Sequence, residues 1–175
     1  MILLMGISGS GKGTQGALLA EKSHLKIIST GELLRTYGSD EQHRRMETGI
    51  FLADEEVTEL LNRALADLPD QNAVILDGYP RRISQADWLL EQAAAGRFKL
   101  EKVLHLIVSR EAVKARLLER GRKDDHDAAI EKRFSEYEKG AFPVIEHLKK
   151  AGVPVIEVNG EQSVEEVNEA IMATF

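Results

Sequence analysis

Gly6-Ile7-Ser8-Gly9-Ser10-Gly11-Lys12-Gly13-Thr14 decides how the rest of the chain is read. The short apolar run Met1-Ile2-Leu3-Leu4-Met5 precedes it and fits a buried strand, and Gln15 to Lys22 follows as a helix. Strand, glycine-rich turn and helix is the setting in which the pattern G-x-x-x-x-G-K-[ST] binds phosphate. Glycines let the backbone curl so that successive N–H groups converge. The helix that follows adds its positive end at the same point. Lys12 brings a full charge, as a point rather than a fork. Gly6, Gly11 and Lys12 match the pattern, but Gly13 stands where a hydroxyl is usual and Thr14 comes one place later. A magnesium ion would therefore be held differently from the commonest loops of this kind. The bland reading, a glycine turn with no ligand, fits the strand–turn–helix context poorly.

With 175 residues, 43% of them apolar, the chain can build one domain around a real core, which excludes general disorder. It has no cysteine, so disulfides, thiol catalysis and cysteine-ligated zinc are excluded, and a cytoplasmic setting is expected. The first residues lack the basic region and long apolar stretch of a secretory leader. No apolar run approaches a membrane-spanning length, so no membrane partner is expected. A net charge of -6 argues against a protein that coats a nucleic acid polymer. Yet arginines recur at Arg35, Arg81, Arg116, Arg120, Arg122 and Arg133. Solvated surface is the usual fate of arginine, but their neighbours along the chain point to one cleft.

Lys26 to Ser29 reads as a second strand, and Ser29 or Thr30 caps a helix that carries Arg35. Thr36 to Thr48 is polar, with a short helix, and Asp54 is expected to cap a helix running to about Asp67. Plain core packing is the competing reading of Ile50-Phe51-Leu52. Asn72 to Leu76 is a third strand that ends in Asp77-Gly78-Tyr79-Pro80-Arg81. Ligands of open α/β sheets bind beyond the carboxyl ends of strands. Asp77, at such an end, can orient Mg2+ directly or through its waters. Gly78 leaves room for a ligand, Tyr79-Pro80 stiffens the turn, and Arg81 can fork onto a phosphate. Gln85 opens a helix to about Ala95, and its amide, both donor and acceptor, can pair with an adenine edge. Arg82 is expected in solvent.

Lys102 to Val108 is a fourth strand, in which His105 is expected to be structural, and the histidines show no zinc-ligand spacing. Ser109 caps a helix through Arg120, and Arg116 lies on the same face as Arg120. Gly121-Arg122-Lys123-Asp124-Asp125 leads into a helix bearing Arg133 and Tyr137. Ala141-Phe142-Pro143 is expected to interrupt it, with Pro143 in the first turn of a new helix. Val153 to Val158 is a fifth strand, Asn159-Gly160-Glu161-Gln162 a loop, and Ser163 the cap of a closing helix. Five apolar strands alternating with helices predict an α/β fold, a parallel sheet covered on both faces with right-handed crossovers.

Gly-Lys-Gly-Thr-Gln at residues 11–15, Ser29 to Arg35, Asp77 to Arg81, and the arginines from Arg116 to Arg133 together resemble the adenylate kinases, over essentially the whole chain. The resemblance implies a P-loop sheet of order 2-3-1-4-5 and the Mg2+-dependent reaction ATP + AMP = 2 ADP. It implies that Gly9, Ser10, Gly11, Lys12, Gly13, Thr14, Arg116, Arg120 and Gln162 bind ATP, with Gly160 beside the base. Thr30, Gly31, Arg35, Ile50, Phe51, Leu52, Gly78, Tyr79, Pro80, Arg81, Gln85, Arg122 and Arg133 would hold AMP. Lys12, Arg81, Arg120, Arg122 and Arg133 would be catalytic, with Asp77 on Mg2+ through water. Asp124 and Asp125 would orient the lid arginines, with helix capping the competing role for Asp125. Gln85, placed as P-R-x-x-x-Q, favours an adenylate over a uridylate or cytidylate acceptor.

The chain departs from the family in three places. Ser8 stands where proline is usual. The segment between Arg35 and Gly49 is shorter. Only Gly121 separates Arg120 from Arg122, so the lid is a bare turn with no room for structural zinc, which puts water exclusion in question. We expect one kinase domain over residues 1–175, acting as a monomer, with an AMP-binding segment at about 30–52 and a minimal lid at about 120–126. Two other readings stay open: a UMP/CMP or broad-specificity nucleoside monophosphate kinase, and a nucleotide-binding protein that lost its activity with the lid.

Overall fold

Ile2 to Met5, every residue buried, forms the first strand, β1, at the centre of the sheet. A computed structural model describes residues 1–48 and 52–175. After β1 come α1 (Lys12–Ser23), β2 (Lys26–Ser29), α2 (Thr30–Tyr37), α3 (Asp40–Glu47) and α4 (Asp54–Ala66). Then follow β3 (Val74–Asp77), α5 (Ile83–Ala94), β4 (Lys102–Ile107), α6 (Arg110–Arg120), α7 (Asp127–Lys150), β5 (Val155–Asn159) and α8 (Val164–Met172). The strands form one five-stranded sheet in the order β2-β3-β1-β4-β5, and every pairing is parallel.

Side chains of a strand alternate between faces, and here each face has its own core. Leu3, Met5, Val74, Leu76 and Val103 pack with Leu61 and Leu65 of α4, Leu89 of α5 and Leu148 of α7. Ile2, Leu4, Ile75, Leu104 and Leu106 pack with Leu19 of α1 and with Val167 and Ile171 of α8. Strands apolar on both faces are what a parallel sheet clad in helices requires.

Two local expectations are corrected. Asp54 does not cap α4: Ala53 is the cap, Asp54 is the first helical residue, and the Ala53 N–H donates to Glu56 Oε2 at 3.0 Å. Pro143 does not start a helix either, since it lies inside a continuous α7. Phe142 and Pro143 sit on the exposed face, where water can satisfy the carbonyl that loses its partner, while Ala141, Val144, Ile145 and Leu148 are buried and hold the helix on course. Gly140 lets α7 pass close to the turn after β3, because a Cβ there would lie 2.5 Å from the Arg81 carbonyl oxygen.

Candidate active site

The glycine-rich loop joins the end of β1 to the start of α1. Gly11, at φ 97°, is the N-cap of α1, a left-handed conformation that glycine adopts without strain. The Ser10 N–H donates to the Ile7 carbonyl at 3.1 Å, and Lys12 Nζ curls back to the same oxygen at 2.7 Å. Burial pushes the Lys12 ammonium down to about 8, against the opposing pull of Asp77 and helped by Arg81 and Arg120. The Ser10 hydroxyl is buried and has no partner among the described residues. A loop that crowds a cation out of water and leaves a hydroxyl unpaired is poised for an anion.

Two clefts open from this loop. One is walled by the loop itself, Asp77, Arg116 and Arg120. The other lies under α2 and α4 and is lined by Thr30, Leu34, Met46, Leu52, Val57 and Gln85. Ser8, Gly31, Arg35, Gly78, Arg81, Arg120 and Arg122 line both, so the clefts meet at a ring of guanidinium groups. Arg133 borders the second cleft, and burial foremost, then Arg120, Arg81, Arg122 and Arg35, pushes it down to about 10. Burial also lowers Arg81 and Arg35. Such mutual pressure among cations is relieved when an anion enters.

Asp125 holds this ring in shape. Its side chain is fully buried; it accepts from Arg120 Nε at 2.8 Å and Nη2 at 2.7 Å, from Arg133 Nη1 at 3.0 Å and from the Arg122 N–H at 3.1 Å. Asp124 pairs with Arg133 as well. The cap of α7 is His126, not Asp125. A carboxylate taking four donors is what lets so short a turn between α6 and α7 stay ordered.

The turn after β3 is knitted to both neighbours. Thr30 Oγ1 donates to the Gly78 carbonyl at 3.0 Å, and Arg81 Nε donates to the same oxygen at 2.7 Å. Gly78 has φ +80°, and a Cβ there would lie 2.9 Å from Thr30 Oγ1 and 3.1 Å from Arg81 Nη2. Tyr79-Pro80 is a cis peptide. The Tyr79 ring is buried edge-on to Trp88, and its hydroxyl bonds Thr58 at 2.8 Å. Tyr79 and Pro80 line a smaller apolar cavity that adjoins the two clefts at Ser8, Gly78 and Arg81. Gln85 accepts from the Arg81 N–H at 2.7 Å and donates to Asp54 Oδ1 at 3.0 Å. At the far end of the loop cleft, Arg116 Nη2 donates to the Gly160 carbonyl at 3.0 Å, and Gly160 and Gln162 line a groove with Gly11 and Thr14. Ile50 and Phe51 lie outside the described residues; Leu52 is buried at the cleft wall.

A model of the adenylate kinase family matches residues 4–153. The chain belongs to the adenylate kinase family. It is 34% identical over 180 residues to adenylate kinase 1 of Nostoc sp., covering 99% of this chain and 97% of that protein. With adenylate kinases it shares 37% over 175 residues in Nocardia farcinica, covering 96% and 94% of the two chains, and 40% over 154 residues in Prochlorococcus marinus, covering 85% and 84%. The enzyme is accordingly a nucleoside monophosphate kinase, an adenylate kinase, and the family implies ATP as substrate together with Mg2+.

The residues fit that ion. Asp77 Oδ1 is buried without a partner among the described residues, and Asp77 and Thr14 both line the loop cleft. A lone carboxylate suits a cation that keeps its waters and takes its other ligands from phosphate. Among the described residues no group of three metal-ligating side chains forms a dedicated cage. No helix is long and apolar enough to cross a membrane among them. His105 is buried in β4 with Nε2 2.7 Å from the Tyr137 hydroxyl, while its Nδ1 finds no partner there. Arg82 is exposed, as expected, at the rim of the second cleft, and the residues missed in the sequence are the apolar Leu34, Met46 and Val57 that line it. Their signal was faint: helix positions that face a cleft share the periodicity of positions that face the core.

Proposed function

We propose that the two clefts bind ATP and AMP tail to tail, and that the ring where they meet is the site of phosphoryl transfer. The loop amides from Gly9 to Thr14 and Lys12 hold the donor phosphates, with Arg116, Gly160 and Gln162 beside the donor base. Thr30, Gly31, Arg35, Gly78 and Arg81 take the acceptor phosphate, and Leu52 and Gln85 the acceptor base. Tyr79 and Pro80 act from behind, by shaping the turn that presents Arg81. Magnesium, held through Asp77 and its waters, neutralises charge on the donor phosphates when bound.

An oxygen of the AMP phosphate forms a bond to the γ-phosphorus as the bond from that phosphorus to the β–γ bridging oxygen breaks, and both products are ADP. Arg120, Arg122 and Arg133 oppose the charge that spreads over the transferred group. No covalent enzyme intermediate is needed, because the site works by positioning and by preset charge. Residues of about 30–52 form the acceptor flap, and about 120–126 the lid. Because one chain walls both clefts, a monomer suffices; the lack of cysteine suits the cytoplasm.

The observation that carries this reading is the convergence of arginines from α2, α6, α7 and two turns on the junction of the clefts. Initial rates of ADP formation from Mg·ATP with AMP, CMP, UMP and GMP in turn test it. Strong preference for AMP is expected. Equal or better rates with another acceptor would overturn the base assignment, and ATP binding without turnover would overturn the catalytic one.

A further inference from the structure

Asp54 sits at the start of α4, outside the phosphate machinery, with its side chain 19% exposed. Its Oδ1 accepts from Gln85 Nε2 at 3.0 Å and lies 3.4 Å from Arg82 Nη1, and its Oδ2 accepts from the Ser84 hydroxyl. Gln85 is itself buried at the wall of the acceptor cleft, and its Oε1 accepts from the Arg81 N–H at 2.7 Å. These two anchors demand opposite ends of the amide. An N–H can face only the oxygen, and a carboxylate can face only the nitrogen. A flipped amide would set oxygen against carboxylate and nitrogen against N–H.

An amide locked in this way still has one N–H and one carbonyl lone pair uncommitted among the described residues. Their order is fixed, and order is what separates bases. A 6-amino purine needs an acceptor at its exocyclic group and a donor at its ring nitrogen. A 6-oxo purine needs the reverse. A free amide serves either by rotating half a turn, whereas a locked one serves one class.

We propose that Asp54 is a positioning residue for acceptor specificity: by fixing the Gln85 amide it makes the cleft accept a 6-amino base and reject a 6-oxo base. This rests on the reading that Gln85 faces the acceptor base. AMP and IMP are the matched probes, since they differ only in that amino-for-oxo exchange.

The experiment compares kcat/KM for AMP and IMP in the wild type and in Asp54→Ala, Asp54→Asn and Gln85→Ala. Asp54→Ala lowers the AMP/IMP ratio about tenfold, the effect of losing one hydrogen bond to a charged group, while KM for ATP stays near its original value. Asp54→Asn restores most of the ratio, because its oxygen still accepts from Gln85. Loss of helix stability alone would move AMP and IMP together. A ratio in Asp54→Ala within twofold of wild type overturns the proposal, as does a ratio in Asp54→Asn as low as in Asp54→Ala. Asp54→Leu, which keeps the branched shape and has no acceptor, gives the same reading if the alanine variant does not fold. If Gln85→Ala leaves the ratio unchanged, the base assignment fails with it; if Gln85→Ala lowers the ratio and Asp54→Ala does not, only the role of Asp54 fails.

Discussion

Lys12 is held with an ammonium that burial pushes from 10.5 down to about 8. An unfolded lysine keeps its proton more tightly, so this group's contribution to the stability of the unliganded protein rises with pH between about 8 and 10.5. Bound triphosphate reverses the pressure by adding negative charge beside the ammonium. At pH 8, where about half the unliganded lysines are neutral, ATP binding should take up about half a proton. Calorimetry in two buffers of different ionisation enthalpy reads that uptake, and Lys12→Met should abolish it. No uptake in the wild type would mean that the ammonium stays fully charged in the empty loop. The glycine-rich pattern marks Lys12 as the candidate phosphate ligand, because spacing alone places it. Its depressed pKa was not legible, since that depends first on how deeply the fold buries the ammonium, against the pull of Asp77, and then on Arg81 and Arg120 beside it. Asp125 was read in outline as an orienting group, but the four donors it accepts come from residues that only the fold brings together.

At the scale of elements, α7 carries Arg133 into the site and passes the Arg81 turn at Gly140. Alanine at position 140 gains about 1 kcal/mol in helix propensity but must push the Arg81 carbonyl aside, an overpacking that costs about 1–3 kcal/mol. We expect Gly140→Ala to lower stability by up to about 2 kcal/mol, seen in denaturant midpoints, and to raise KM for AMP by moving Arg81. An unchanged KM would show that the helix, and not the turn, gives way. Strands and helix caps were legible at this scale: Ser109 and Ser163 cap α6 and α8 as their sequence context predicts. Pro143 misled because a proline breaks a helix only when the lost bond cannot be offset. Here Ala141, Val144 and Ile145 hold the buried face while Phe142 and the proline itself face water. Asp54 misled for a related reason. A residue that suits a cap was drawn instead to Gln85 and Ser84, partners on another helix.

Across the whole molecule, an acidic chain brings Lys12 and the six arginines singled out in its sequence to one pair of clefts. Burial lowers the Arg81 pKa, so its charge is better satisfied once an anion enters. Removing it should cost little in folding and much in catalysis. We expect Arg81→Ala to reduce turnover about 10³-fold, the scale on which a transition-state arginine acts, with a thermal midpoint within a few degrees of wild type. A large fall in midpoint with a modest fall in rate would reassign Arg81 to structure.

Sequence by itself determined the sheet, the phosphate loop and the class of chemistry. Apolar strands buried on both faces admit one kind of parallel sheet, and a glycine turn between strand and helix is decided by local geometry. Tertiary structure alone decided how the two clefts meet at the arginines, which four donors Asp125 accepts, and the hydrogen bonds that hold Gln85. Each of these depends on groups far apart in the chain, whose distances no local pattern encodes and whose energies are set by burial and by the charges that packing places beside them.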